Sequence, residues 1–231
     1  ILGRRENGYH DVRMVMQTVY LYDRVTLEKT REPGIEISTN LPYLPVNENN
    51  IADKAAELLQ REFGSREGIR IILEKHIPVA AGMAGGSSNA AAVLFGMNRM
   101  FGLGLSMEGL MERGVKLGAD VPYCIMRGTV LADGIGERLS VFPPMPKCTV
   151  LIAKPPVSVS TRAVYDALDA MEIAVPPDID GIIRGLDKED LKAVADAMWN
   201  VLEDVTIPMH PVIEDIKDEM KAARALAVMI S

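Results

Sequence analysis

The spacing of apolar positions changes repeatedly along the chain, and each change predicts an element. "VRMVMQTVYL" and "DRVTLEKT" carry β-branched and aromatic residues in partial alternation, which predicts two strands, and "REPGIEIST" supplies a Pro-Gly turn before a third. The three together predict a β-meander. Beyond the polar loop "NLPYLPVNENN", apolar Ile51, Ala55, Leu58 and Leu59 fall at helical spacing, with Gly64 as the stop signal. Ile69, Ile71 and Leu73 then alternate with Arg70 and Glu74, predicting a strand. "SSNAAAVLFGMNRMFG" has serine for an N-cap, alanine for helix propensity and Gly102 past its end. Gly82, Gly85 and Gly86 therefore lie between a strand and a helix. Further along, "SMEGLMERGVKLG" predicts a short helix and "TVLADGIGERLSVF" a hairpin turning at Asp133-Gly134. After the proline-rich joint Pro143–Lys147 come a strand "CTVLIAKP" and helices over "STRAVYDALDAM", "DKEDLKAVADAMWNVLED" and "HPVIEDIKDEMKAAR". "ALAVMIS" reads as the beginning of a buried strand.

Composition narrows the function classes. With 231 residues and 48% hydrophobic content, the chain can bury a sizeable core in one large domain or two ordinary ones. The joint near residue 145 predicts a boundary between residues 1–145 and 146–231. Lys plus Arg is 25 and Asp plus Glu is 32, and the resulting net charge of −7 argues against a nucleic-acid surface. Cys124 and Cys148 have neither metal-ligand spacing nor a disulfide-framework pattern, which suits a reducing cytoplasm. No apolar run approaches the roughly 20 residues of a membrane helix. The expectation is a soluble cytoplasmic protein without a membrane or nucleic-acid partner.

The glycine-rich segment carries the first candidate chemistry. Glycines let backbone N–H groups approach an anion, and a helix start adds free donors with a partial positive charge, a combination that suits phosphate. Ser87 and Ser88 add hydroxyls, one of which could hold a phosphate-bound divalent cation. No Lys-Ser or Lys-Thr follows the glycines, so this is not a Walker A loop, and it is not G-x-G-x-x-G. An ordinary tight connection with Ser88 as a cap is the bland reading. Three glycines and two serines before an alanine-rich helix favour anion binding over it.

"PVAAGMAGGSSNAA" resembles the nucleotide-binding motif of the GHMP kinases. Its Ser-Ser-Asn-Ala-Ala ending is similar to the branch that phosphorylates a cytidine diphosphate-linked methylerythritol in the non-mevalonate isoprenoid pathway. That branch has glycine at the position of Ala84, a departure tolerable where the backbone is not left-handed. The resemblance implies that Pro78, Gly82, Met83, Ala84, Gly85, Gly86, Ser87, Ser88 and Asn89 contact ATP, with Mg2+ accompanying it, and that Asn50 lies near adenine. "LGRRENGYHDVRMVMQTV" resembles the segment in which Tyr9 lies on cytosine and His10 hydrogen-bonds the base. Tyr9 supplies a π-face and His10 both a donor and an acceptor. "KLGADVPYCI" resembles the element that carries the catalytic carboxylate, here Asp120, which orients the attacking hydroxyl. In "PPVSVSTRAVYDAL", Thr161 aligns with a substrate-contacting threonine and Tyr165 with an aromatic that closes over the other face of the base.

Each transferred residue also has a structural reading. Asp120 lies two residues before Pro122 and suits an N-cap worth about 1 kcal/mol. Tyr165 fits the apolar stripe of a helix beside Leu168. Tyr9 and His10 could be a packed turn residue beside a solvated imidazole. Asn50 could be an ordinary loop residue. His76, His210 and the methionine-rich stretches read as strand end, helix start and core.

The resemblance further implies an α+β, two-domain fold with an N-terminal mixed-sheet domain and a C-terminal domain of helices on an antiparallel sheet. The expected acceptor is a small molecule, and the expected assembly a monomer or homodimer. Another small-molecule GHMP kinase and a non-catalytic nucleotide-binding module are the alternatives. The family's Ala-Lys-Ile-Asn-Leu strand and Gly-Ser-Gly-Pro-Thr loop are not in this sequence. The chain as given is therefore expected to turn over slowly, because a lysine that meets developing charge is worth orders of magnitude in rate.

Overall fold

The computed structural model describes residues 3–4, 10–64, 67–157, 159–171 and 176–231, and of Arg4, Thr161 and Arg162 the backbone only. The fold is α+β, and the chain divides into two compact units that are discontinuous in sequence. One comprises Ile1–Val19, Ala80–Gly82 and Gly128–Ser231, and the other Tyr20–Val79 and Met83–Arg127.

The second unit holds strands β3 (Arg24–Thr30), β4 (Ile35–Thr39) and β5 (Gly68–Glu74) with helices α1 (Ile51–Phe63), α2 (Gly85–Phe101), α3 (Met107–Val115) and α4 (Val121–Met126). Strand order is β3-β5-β4. β5 pairs antiparallel with β3, Arg24 facing Glu74, and parallel with β4, Ile37 beside Ile71. The expected meander does not form, because α1 intervenes as a crossover that returns β5 parallel to β4. β5 takes the central place since Ile69, Ile71 and Leu73 are all fully buried. Those side chains join Leu59, Val93, Leu94, Met97, Leu110 and Val121 in one core, each such burial contributing about 1.5–3 kcal/mol. α1 is bounded as its sequence requires, by an Asn50 cap at one end and a left-handed Gly64, φ 63°, at the other.

The first unit holds a four-stranded antiparallel sheet, β1-β2-β6-β7, from β1 (Gly3–Arg4), β2 (His10–Gln17), β6 (Thr129–Gly134) and β7 (Arg138–Val141). A hairpin joins β6 to β7 as expected, but Asp133 and Gly134 are still paired in β6 and the turn itself falls at residues 135–137. Helices α5 (Thr161–Leu168), α6 (Ile179–Asp187), α7 (Leu191–Ala197), α8 (Glu203–Met209) and α9 (Val212–Ala222) follow.

Three elements depart from the pattern that the sequence predicts. Residues 148–154 are exposed and unpaired where "CTVLIAKP" predicts a strand, and 225–231 likewise form no ladder. An apolar run becomes a strand only beside another strand that pairs with its N–H and C=O groups, and among the described residues neither segment has one; Ile230 bonds to side chains instead, its N–H donating to Glu203 Oε1 at 2.7 Å and its carbonyl accepting from Asn200 Nδ2 at 3.2 Å. The single helix expected over 187–204 is interrupted at Met198–Leu202, because Val194 packs with Ile182 and Leu186 whereas Trp199 and Val201 pack with Val164 and Leu168. One straight helix cannot serve both clusters.

Candidate active site

β5 delivers the chain into the glycine-rich turn. Beyond the last ladder pair, Arg24 with Glu74, Asp23 and Lys75 come together and form a buried ion pair. Asp23 Oδ1 accepts the N–H groups of His76 at 2.7 Å and Ile77 at 2.9 Å, and its Oδ2 accepts Asn89 Nδ2 at 2.9 Å. Asn89 Oδ1 in turn accepts Lys75 Nζ at 2.8 Å. Burial drives the Asp23 carboxyl upward, but the Lys75, backbone and Asn89 hydrogen bonds prevail and hold it below its ordinary 3.8. This network ties the strand exit to the first turns of α2. Sequence reasoning misses Asp23 and Lys75 altogether. Their signal is a charge flanking each of two antiparallel strands, which becomes a pair only when the register is known.

The turn passes through three left-handed residues, Ala80 at φ 53°, Gly82 at φ 68° and Ala84 at φ 50°. The condition under which Ala84 replaces glycine without penalty is therefore not met, and its methyl group costs about 1–2 kcal/mol. Ser88 N–H, at 2.8 Å, and the Cys124 thiol, at 4.0 Å, both point at the Ala84 carbonyl. Ala84, not a serine, occupies the N-cap position, and no side chain caps the helix. Gly85, Gly86 and Ser87 thus begin α2 with N–H groups that have no acceptor among the described residues. Glycine at 85 has a packing reason, since a Cβ would lie 3.0 Å from Ile77 Cγ2. At 86 the glycine is exposed, and a Cβ there would meet only Ile51 at ordinary contact distance. Pro78, Met83 and Ser88 are half-buried around the turn, and Gly82 is exposed. Asn89 is buried and its amide is committed to Lys75 and Asp23.

Asp120 is in the same unit. It stands in front of α4 with α-region angles, φ −84° and ψ −10°, and its side chain makes no cap hydrogen bond. Capping is therefore not what this carboxylate does here. Burial pushes its pKa above the ordinary 3.8, and no charge partner among the described residues offsets that. Cys124, one turn on, is pushed up to about 12 by burial and then by the Asp120 charge, which keeps it an inert thiol. Ile51 links the pieces. Its Cγ2 lies 3.5 Å from where a Cβ on Gly86 would stand, and its Cδ1 3.6 Å from the corresponding point on Gly118. The start of α2, the approach to Asp120 and the start of α1 therefore share one apolar contact. Asn50, next to Ile51, accepts from Ala52 N–H at 3.0 Å and donates to the Pro45 carbonyl at 2.8 Å.

The other candidate residues belong to the first unit. His10 opens β2, and its ring rests against Tyr165 of α5 with centroids 4.6 Å apart and planes tilted by 38°. His10 Nε2 hydrogen-bonds Asp169 Oδ1 at 2.7 Å. Asp169 is a residue that sequence reasoning passes over, since an Asp at a helix end is commonplace. Tyr9 lies outside the described residues, and so does the side chain of Thr161, whose backbone opens α5 behind the Ser160 cap.

Unpaired N–H groups at a helix start and, in the same unit, a half-buried carboxylate with a raised pKa are equipment that phosphoryl transfer can use. Residues 50–128 match the GHMP kinases N terminal domain. A protein of Lachnospira eligens, named 4-diphosphocytidyl-2-C-methyl-D-erythritol kinase, is 57% identical over all of this chain and 80% of its own length. One of the same name from Lachnoclostridium phytofermentans is 54% identical over all of this chain and 79% of its own length. Among solved structures, a crystal structure of 4-(cytidine 5'-diphospho)-2C-methyl-D-erythritol kinase superposes with a TM-score of 0.79 at 29% identity, over 99% of this chain and 80% of that one. The chain belongs to the 4-diphosphocytidyl-2-C-methyl-D-erythritol kinase family of the GHMP kinases.

Proposed function

We propose that the protein transfers the γ-phosphoryl group of ATP to the 2-hydroxyl of 4-diphosphocytidyl-2-C-methyl-D-erythritol, a step of non-mevalonate isoprenoid precursor synthesis. The observation that carries this reading is the pairing, within one unit, of the open N-terminus of α2 with Asp120. ATP bound with Mg2+ supplies an activated phosphoryl group and charge neutralisation. The residues present fit the triphosphate. Gly85, Gly86 and Ser87 offer three unspent N–H donors, and no Cβ at 86 obstructs the approach. The Ser87 and Ser88 hydroxyls stand at the same helix end. Among the described residues no three of His, Cys, Asp and Glu cluster as a metal cage, and the Ser87 or Ser88 hydroxyl would be the protein group offered to a phosphate-bound Mg2+.

Asp120 accepts or orients the proton of the attacking hydroxyl. Its raised pKa brings it closer to the neutral pH at which a general base works best. Tyr9, His10, Thr161 and Tyr165 select the cytidine head, and Asn50 stands near adenine. We assign family domains to residues 1–145 and 146–231 and propose a cytoplasmic monomer or homodimer. No helix of the described residues is long and apolar enough to cross a membrane.

A coupled ADP-release assay comparing the cytidyl substrate with homoserine and mevalonate tests the assignment. Turnover of the cytidyl compound alone is expected, and equal turnover of the three would defeat it.

A further inference from the structure

We infer that Asp169 determines base specificity by fixing the tautomer of His10, an inference that rests on the reading of His10 as the group that meets the base. The two residues are held together by α5. Tyr165 and Asp169 are four apart, and Asp169 N–H donates to the Tyr165 carbonyl at 2.9 Å, so both stand on the last turn and face the same side. Tyr165 covers the face of the His10 ring, at 4.6 Å between centroids, while Asp169 Oδ1 meets its edge at Nε2, at 2.7 Å. The His10 side chain is only 8% exposed and Asp169 30% exposed, which limits competition from water.

A carboxylate accepts hydrogen bonds and donates none, so Nε2 must carry the proton. In the neutral ring this leaves the lone pair on Nδ1. Nδ1 has no hydrogen-bond partner among the described residues. A fixed acceptor at that edge pairs with an amino group and repels a carbonyl oxygen. Cytosine presents its 4-amino donor where uracil presents an O4 acceptor. The Asp169–His10 pair thus reads one functional group of the base, with Asp169 acting as a positioning residue that touches no substrate. An asparagine at 169 could offer Nε2 either its oxygen or its amide N–H, and the second choice moves the ring proton to Nδ1, which then welcomes uracil.

The test is calorimetric titration of the whole chain with cytidine diphosphate and with uridine diphosphate, with the adenine-nucleotide site saturated by ADP. The wild type is expected to prefer the cytidine nucleotide by roughly tenfold or more, the selectivity of a site built around one buried hydrogen bond. Asp169→Asn should lose most of that preference and leave ADP affinity unchanged, whereas Asp169→Glu, which restores a pure acceptor, should keep it. If Asp169→Asn fails to fold, nitrogen-15 NMR of the wild-type imidazole gives the answer directly, and a protonated Nδ1 with bare Nε2 overturns the inference. A wild-type preference that survives intact in Asp169→Asn also overturns it, leaving the kinase reading untouched. A wild type with no preference, through equal binding or none, sinks the reading of His10 as base-facing and this inference with it.

Discussion

Asp120 illustrates how a single side chain can be costly to the fold and, as the proposed catalytic carboxylate, kept for its chemistry. Burial raises its pKa above 3.8 and nothing among the described residues pairs with the charge, so the folded protein binds that proton more tightly than the unfolded chain. The sign follows from linkage. Ionising the group costs stability as pH rises from about 3.8 through the raised folded value, so the cost grows across that window and stays above it. Asp120→Asn never ionises and gives up no cap hydrogen bond. It is expected to unfold at a higher temperature than the parent at pH 7, with the gap closing as pH falls toward 3.8, while phosphoryl transfer drops by roughly a hundred- to ten-thousandfold. Thermal melts across pH alongside the ADP-release assay check both halves, and a variant that is less stable at pH 7 and equally so at pH 4 would contradict the burial argument. Ala84 poses a similar trade, a left-handed alanine retained at the head of α2, where the proposed anion site lies.

Secondary elements owe their positions to contacts that sequence periodicity records unevenly. α1 is legible because an apolar stripe from Ile51 ends at a terminating Gly64, whereas Asn50, which sequence reads as an adenine-side or loop residue, is its cap. α6 is not. "IDGIIRGLD" contains two glycines that argue for a loop, and the helix forms because Ile182 and Leu186 pack against Val194, Val15 and Phe142. The glycine-rich turn is legible from its composition and its place between a strand and a helix, but the network beneath it depends on strand register and stays hidden. That network joins β3, β5 and α2 through Asp23. Asp23→Asn would leave the buried Lys75 ammonium without its counter-charge, and truncating one partner of such a pair costs about 3–5 kcal/mol. Urea denaturation should show that loss, and Asp23→Asn with Lys75→Met should recover much of it. Because the folded Asp23 pKa lies below 3.8, its contribution is present above that pH and disappears as pH falls through the folded value. The Asp23→Asn deficit should therefore shrink in strong acid, and a deficit independent of pH would mean that packing, not charge, binds these elements.

At the scale of the whole molecule, stability is distributed unevenly between what is paired and what is merely apolar. The core around Leu59, Ile69, Ile71, Leu94 and Met97 is sealed, each residue at most 1% exposed, and its β5 amides are locked between two neighbouring strands. Residues 148–154 are the opposite case. Val150 is 55% and Leu151 74% exposed, with no ladder on either side. Local opening free energy follows burial and backbone pairing, so amide exchange should span nearly the full range within this one chain. Amides of Ile69–Leu73 are expected to exchange only through global unfolding, and those of Thr149–Ala153 within the dead time of a manual experiment. Trypsin should agree by cutting first after the exposed Lys147, while the bond after Lys154 resists because Pro155 follows it. Strong protection at Thr149–Ala153 would show that this apolar run has found a strand partner in solution, a second copy of the chain being the available candidate. Protection that rises with protein concentration would identify that partner.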